Sequence, residues 1–254
     1  MSAVLAFDAV ARRSFGVEVR AEFLRMSRTP SFVLPTLLFP PMFYVLFAII
    51  MNFGRGSFQA QEYFLASYCV FGVMSPGLFG FGATIAMERE QGLLMLKRAL
   101  PMPRHNYLAA KLVVALAFAA TIYLSLALLA YGAGGVRLDA AQWLALGVVA
   151  IAGAAPFCAL GFLIGTLTSG QGAPAVANLI YLPMAFLSGL ALPLFLLPKI
   201  VQAVAPVWPA WHLGQVALAS IGQPSTGSVG GHLAYLAVFT AVAFALASRR
   251  LARG

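Results

Sequence analysis

The chain has 254 residues, of which 61% are hydrophobic and only 9% charged, where an ordinary soluble domain carries about 25% charged residues. A soluble domain with so few charges has too little polar surface to cover itself, so the chain reads as an integral membrane protein. Its 16 Lys and Arg against 7 Asp and Glu, a formal +9, suit basic loops beside a membrane; no nucleic acid partner is expected. Cys69 and Cys158 stand far apart in apolar runs, with neither a disulfide framework nor metal-ligand spacing.

Residues 1–30 hold five arginines and no compact apolar core of a signal peptide, so cleavage is not expected. Phe15, Val19, Phe23 and Met26 recur at helical spacing, with Arg12, Arg13, Arg20 and Glu22 among them. Such a basic amphipathic helix lies along the headgroups; a plain cytosolic tail is the alternative. The first span is expected over Ser31–Asn52, with Thr29 as N-cap and Pro30 at the first helical position. The second is Tyr63–Met87.

The stretch Met87–Arg104 is too charged to continue that span, yet carries Leu93, Leu94, Leu96 and Leu100. It reads as a short cytosolic helix with Glu88 and Glu90 towards its start and Lys97 and Arg98 towards its end, matching the helix dipole. Pro101 and Pro103 stop it. A short amphipathic helix of this kind suits a groove on a soluble partner; a solvated loop is the alternative.

The third span, Asn106–Tyr131, ends at the run Gly132-Ala-Gly-Gly. Asp139 and Gln142 form a capping-box pattern before the fourth, Trp143–Leu167, where Gly161 and Gly165 permit close helix packing. After the turn Thr168–Gly172 comes the fifth, Ala173–Leu197. Residues from about 198 to 228 are apolar but interrupted by Pro206 and Pro209. Neither half crosses about 30 Å of hydrocarbon, so two short helices are expected to dip back into the outer leaflet. The sixth span is Val229–Ser248.

Thirteen of the sixteen basic residues fall in the N-terminal segment, the loop after the second span and the C-terminus, leaving Arg55, Arg137 and Lys199 opposite. That asymmetry puts both termini in the cytoplasm. Tyr63, Tyr131, Trp143, Trp208 and Trp211 then fall near the outer boundary as an interfacial belt.

These features together resemble the membrane subunit of an ABC-2 type exporter, a half-size permease of the type V ABC transporters. The resemblance rests on Glu88-Arg89-Glu90-Gln91-Gly92-Leu93-Leu94, followed by Pro101, Arg104, Tyr107 and Lys111, on Asn178–Gly189, and on Pro206-Val-Trp-Pro-Ala-Trp-His212. It implies an all-α membrane protein: an N-terminal connecting helix over 1–30, then a single six-helix domain over 31–254 with a coupling helix at about 88–100. It further implies a plasma (inner) membrane location, two copies of the permease, expected to be a homodimer, and two cytosolic ATPase subunits beneath them.

By the same resemblance, Glu88, Arg89, Glu90, Gly92, Leu93, Leu96 and Arg98 form the ATPase-docking helix. The substrate path runs along the first, second and fifth spans, where Phe39, Phe43, Phe47, Asn178, Tyr181 and Ser188 are the candidate residues. Lys97, Lys111 and Lys199 stand in no P-loop, so ATP and Mg²⁺ are expected on the partner and no cofactor or metal on this chain.

Two other readings compete. An ion-coupled secondary transporter or channel normally has ionisable residues well inside its spans; Lys111 lies within one turn of the cytoplasmic edge and can snorkel. A membrane-embedded enzyme needs convergent acids, histidines or nucleophiles. Here Asp8, Glu18, Glu22, Glu62, Glu88, Glu90 and Asp139 lie at or outside span boundaries, and His105, His212 and His232 are scattered. The cargo expected is amphiphilic or apolar: a drug-like compound, a lipid or a lipid-linked glycan.

Overall fold

A computed structural model describes residues 2–51, 59–99 and 104–253, with side chains described for 14–51, 59–96 and 106–251. Arg12, Arg13, Arg55, Lys97, Arg98, Pro101, Pro103 and Arg104 therefore lie, as side chains, outside the described residues. Twelve α-helices follow in chain order: α1 (Ser2–Ser27), α2 (Pro30–Tyr44), α3 (Ala60–Ser75), α4 (Thr84–Glu90), α5 (Leu93–Ala99), α6 (Arg104–Gly132), α7 (Ala140–Ala152), α8 (Ala154–Leu167), α9 (Ala173–Leu187), α10 (Lys199–Val204), α11 (Pro209–Ser220) and α12 (Val229–Arg253). No strand occurs among the described residues.

Five continuous stretches among them are long and apolar enough to cross a membrane: Pro30–Ile50, Ala60–Glu90, Asn106–Gly132, Ala140–Leu167 and Val229–Leu251. Two run through wider π-helical segments, Val45–Ile50 and Pro76–Ala83. The Ala60–Glu90 stretch is the centre of the bundle. From Phe64 to Ser75 every residue is buried, and its neighbours include α2, α6, α8, α9 and α11.

The close contact between Pro76–Ala83 and α8 is made by glycines. A Cβ on Gly161 would sit 2.1 Å from the Gly77 carbonyl oxygen, and one on Gly165 would sit 2.6 Å from that of Gly82. Helix backbones meet there directly, as small residues allow in membrane bundles. At the start of α7 the expected capping box forms: Gln142 N donates to Asp139 Oδ1 at 2.7 Å, and Asp139 N to Gln142 Oε1 at 3.0 Å.

Several expectations need correction. The fifth span is not helical over Ala173–Leu197; α9 stops at Leu187, and 15 residues rise only about 22 Å. Gly189 ends it in the left-handed region (φ +77°), with Leu190 N bonded to Ala185 O and Gly189 N to Phe186 O, a Schellman stop. Thr29 does not cap α2 through its side chain; its hydroxyl donates back to Arg25 O at 2.9 Å.

The apolar stripe of α1 is also placed differently from the expected headgroup contact. Met26 is buried with Val114 and Phe118 of α6, and Val19 packs on the same cluster. Nor is Trp211 a belt residue. It is 9% exposed, on an α11 that is buried along most of its length against α3, α7 and α12.

Candidate functional site

The segment richest in sequence signals folds as two helices rather than one. The helix containing Glu88 and Glu90 is the end of the long second stretch, which continues through α4 to Glu90. Gly92 then takes φ +72° and turns the chain into the seven-residue α5. Glu88 and Glu90 thus stand at a helix C-terminus, where the dipole disfavours acids, and specific partners offset this. Nothing lies within 4 Å of where a Cβ on Gly92 would be, so on this chain its role is conformational.

Glu88 is 2% exposed and sits in a buried ionic network. Lys111 of α6, also 2% exposed, donates to Glu22 Oε1 at 2.7 Å, to Thr84 Oγ1 at 3.0 Å and to Glu88 Oε1 at 3.3 Å. Arg25 donates to Glu22 at 3.1 Å and to Glu88 Oε1. Tyr107 donates its hydroxyl to Glu88 Oε2. Two carboxylates face two cations, so the cluster is formally neutral while tying together α1, α4 and α6. Burial of these charges is tolerable because each is paired and hydrogen-bonded.

Arg89 and Glu90 reach sideways. Arg89 donates to the carbonyls of Thr166 and, at 2.8 Å, Thr168, and Glu90 Oε2 accepts from Gly170 N at 2.6 Å. They anchor the turn between α8 and α9 to the end of α4. On α5 itself, Leu94 is buried beside Tyr107 and Ile85. Leu93 is 36% exposed, Leu96 65% and Met95 74%.

Above the network a cleft of about 650 Å³ opens between α2, the Pro76–Ala83 segment and α9. Arg25, Thr29, Ser31, Gln91 and Asn178 give it polar edges, and Phe32, Pro35, Phe39, Phe79 and Tyr181 supply apolar walls. Thr36 and Ser75, both on the lining, share a hydrogen bond of 2.9 Å. Pockets of this size and mixed character suit small amphiphilic molecules.

The cleft brings together Phe39, Asn178 and Tyr181 of the candidate path but not the other three. Phe43 and Phe47 stack inward on Tyr68 at 6.3 and 6.5 Å and belong to the packing of the core. Ser188 is 4% exposed at the far turn, and its Oγ makes no hydrogen bond.

Sequence reading missed Glu22, Arg25, Thr84, Tyr107 and Lys111 as one constellation. A signal for it exists. Val19, Glu22, Phe23 and Met26 follow i, i+3, i+4, i+7 spacing, which puts a carboxylate on an apolar face. Thr84–Glu88 and Tyr107–Lys111 are both i, i+4 pairs. Charges in those positions require buried partners.

A family model described as "ABC-2 family transporter protein" matches residues 55–249. Over 226 residues the chain is 30% identical to "Putative transport permease YvfS" of Bacillus subtilis (strain 168), covering 86% of this chain and 91% of that protein.

Proposed function

We infer the role of this chain from its kinship: it belongs to the ABC-2 family of transporter proteins. It is a multi-pass integral membrane protein and a transporter's membrane subunit, in a family that associates with ABC ATPases. The finer reading is ours. Two copies of this chain pair in the inner membrane with both termini in the cytoplasm, and two ATPase subunits carrying ATP and Mg²⁺ dock beneath and drive export.

One observation carries the docking site. Leu93, Met95 and Leu96 are exposed on a short helix outside every stretch that can cross a membrane. Apolar side chains on the spans face lipid; these three face neither lipid nor core and suit a groove on a soluble protein. Gly92 sets their direction. Arg89 and Glu90 brace the turn behind α5, and Arg98 continues the same element. Glu88 acts behind that surface, within the ionic network, which couples movement of α5 to α1 and α6.

The cleft supports an amphiphilic cargo: its apolar walls meet a hydrocarbon or aromatic body, while Asn178 and the Thr29–Ser31 edge meet a polar head. No charge other than the paired Arg25 and Glu88 lines it, which favours ATP-driven export over ion coupling.

The test is recovery of the tagged full chain from its native membrane in mild detergent, beside a Leu93→Ser/Met95→Ser/Leu96→Ser variant. A P-loop ATPase should accompany the wild type and be lost from the variant, and an amphiphile such as a long-chain drug should alter ATP turnover of the recovered complex. Equal recovery by both would remove α5 as the docking element. A wild type that brings down no ATPase sinks the exporter reading.

A further inference from the structure

At the opposite end of the molecule from Glu88, two histidines that the transport reading does not use meet in a defined way. His212 lies in the first turn of α11 and His232 in the first turn of α12. Their Nδ1 atoms are 2.8 Å apart. Each ring's other nitrogen faces a backbone carbonyl: His212 Nε2 lies 2.9 Å from Pro206 O, and His232 Nε2 lies 2.6 Å from Thr226 O.

A carbonyl oxygen only accepts, so both Nε2 atoms must carry protons. A neutral ring protonated at Nε2 presents a bare lone pair at Nδ1. Two neutral rings would therefore aim lone pairs at each other across 2.8 Å, and two imidazolium rings would aim two N–H groups and two charges. Only one shared proton makes the contact a hydrogen bond. We propose that His212 and His232 form a one-proton clasp holding α11 to α12, which opens when the pair either loses that proton or gains a second.

The surroundings suit a single positive charge. The Tyr235 ring stacks on His212 with centroids 3.7 Å apart and planes 15° from parallel, a cation–π arrangement, and its hydroxyl is held by Val207 O at 2.7 Å. Trp211 lies edge-on to both imidazoles at 4.9 and 5.2 Å. His232 is 5% exposed.

Burial pushes the His212 pKa below its ordinary value; the Pro206 carbonyl opposes this, and the neighbouring His232 charge adds to it. That direction resists a second proton. The acids on neighbouring elements are elsewhere: Glu62 of α3 accepts from Gln223, and Asp139 caps α7, whose Gln142 reaches Ile221 O. Both contacts lie beyond the last residue of α11, at its other end.

The clasp would join the outward-facing α11, buried among α3, α7 and α12, to the last span. It makes the stability of that assembly depend on pH in both directions.

The test uses the full chain in lipid nanodiscs, comparing wild type with His232→Asn. The Asn amide nitrogen falls near the position of Nδ1 and donates to His212 Nδ1 without a titrating proton. Wild type should show a maximum in its thermal unfolding midpoint, losing about 3 °C on each side of it, while His232→Asn stays flat over the same range. Histidine ¹⁵N spectra of the wild type at its maximum should show two Nε2–H groups and one proton shared between the Nδ1 atoms. A wild-type profile as flat as the variant's, or spectra with both Nδ1 atoms bare at that pH, would overturn the clasp.

Discussion

Lys111 lies six residues into the stretch Asn106–Gly132 and is 2% exposed. It can stay charged there because Glu22 and Glu88 come to it from two other helices. Removing one member of such a cluster leaves an uncompensated buried charge, which costs about 3–5 kcal/mol. Lys111→Met is therefore expected to be strongly destabilising. Glu88→Gln combined with Lys111→Met removes one charge of each sign and should cost less than the two single changes added together. Unfolding midpoints of the three variants decide this; strict additivity would mean that the two residues are not coupled.

At the scale of elements, the contact between Pro76–Ala83 and α8 depends on missing side chains. Gly161→Ala would drive a methyl group to within 2.1 Å of a backbone oxygen, and backbone cannot move aside as a flexible side chain would. Overpacking of this kind costs about 1–3 kcal/mol. Gly172→Ala, whose nearest neighbour is a serine hydroxyl at 3.0 Å, is the control and should be much milder. Equal unfolding midpoints for the two variants would show that the helices separate freely there. The Gly161–Gly165 spacing was legible as a packing motif, but the glycines it meets were not: a sequence shows which faces are smooth and not which faces touch.

For the whole molecule, the charge asymmetry makes a prediction about orientation. Cys69 and Cys158 are buried, so a cysteine introduced at an exposed position reports alone. Ser225→Cys, between α11 and α12, should react with a membrane-impermeant maleimide added outside intact cells. Gln171→Cys, between α8 and α9, should react only after the membrane is opened. The reverse pattern would invert the topology, and labelling of both from outside would break it. The same assembly explains why α5 and the cleft lie near one another: Arg25 and Glu88 line the cleft and also bind the helix pair that α5 extends.

Apolar length, breaker residues and the distribution of arginine were enough, from sequence alone, to identify a multi-pass membrane protein, most of its helices and its family. Those properties are local or additive, because a bilayer sorts each segment by its own hydropathy and each loop by its own charge. What only the tertiary structure decided is where the polar residues go. Glu88 moved from an exposed docking residue to a buried ionic partner because Arg25 and Lys111, distant in the chain, converge on it. Phe43 and Phe47 turned into core residues while Phe39 stayed at the cleft, because one face of α2 meets Tyr68 and the other meets open space. Likewise α9 ends early because Gly189 adopts a left-handed turn, leaving the following residues to fold back as α10 and α11. Pairing of buried charges, choice of helix face and the path of a returning segment are properties of contacts between distant residues, which no local pattern encodes.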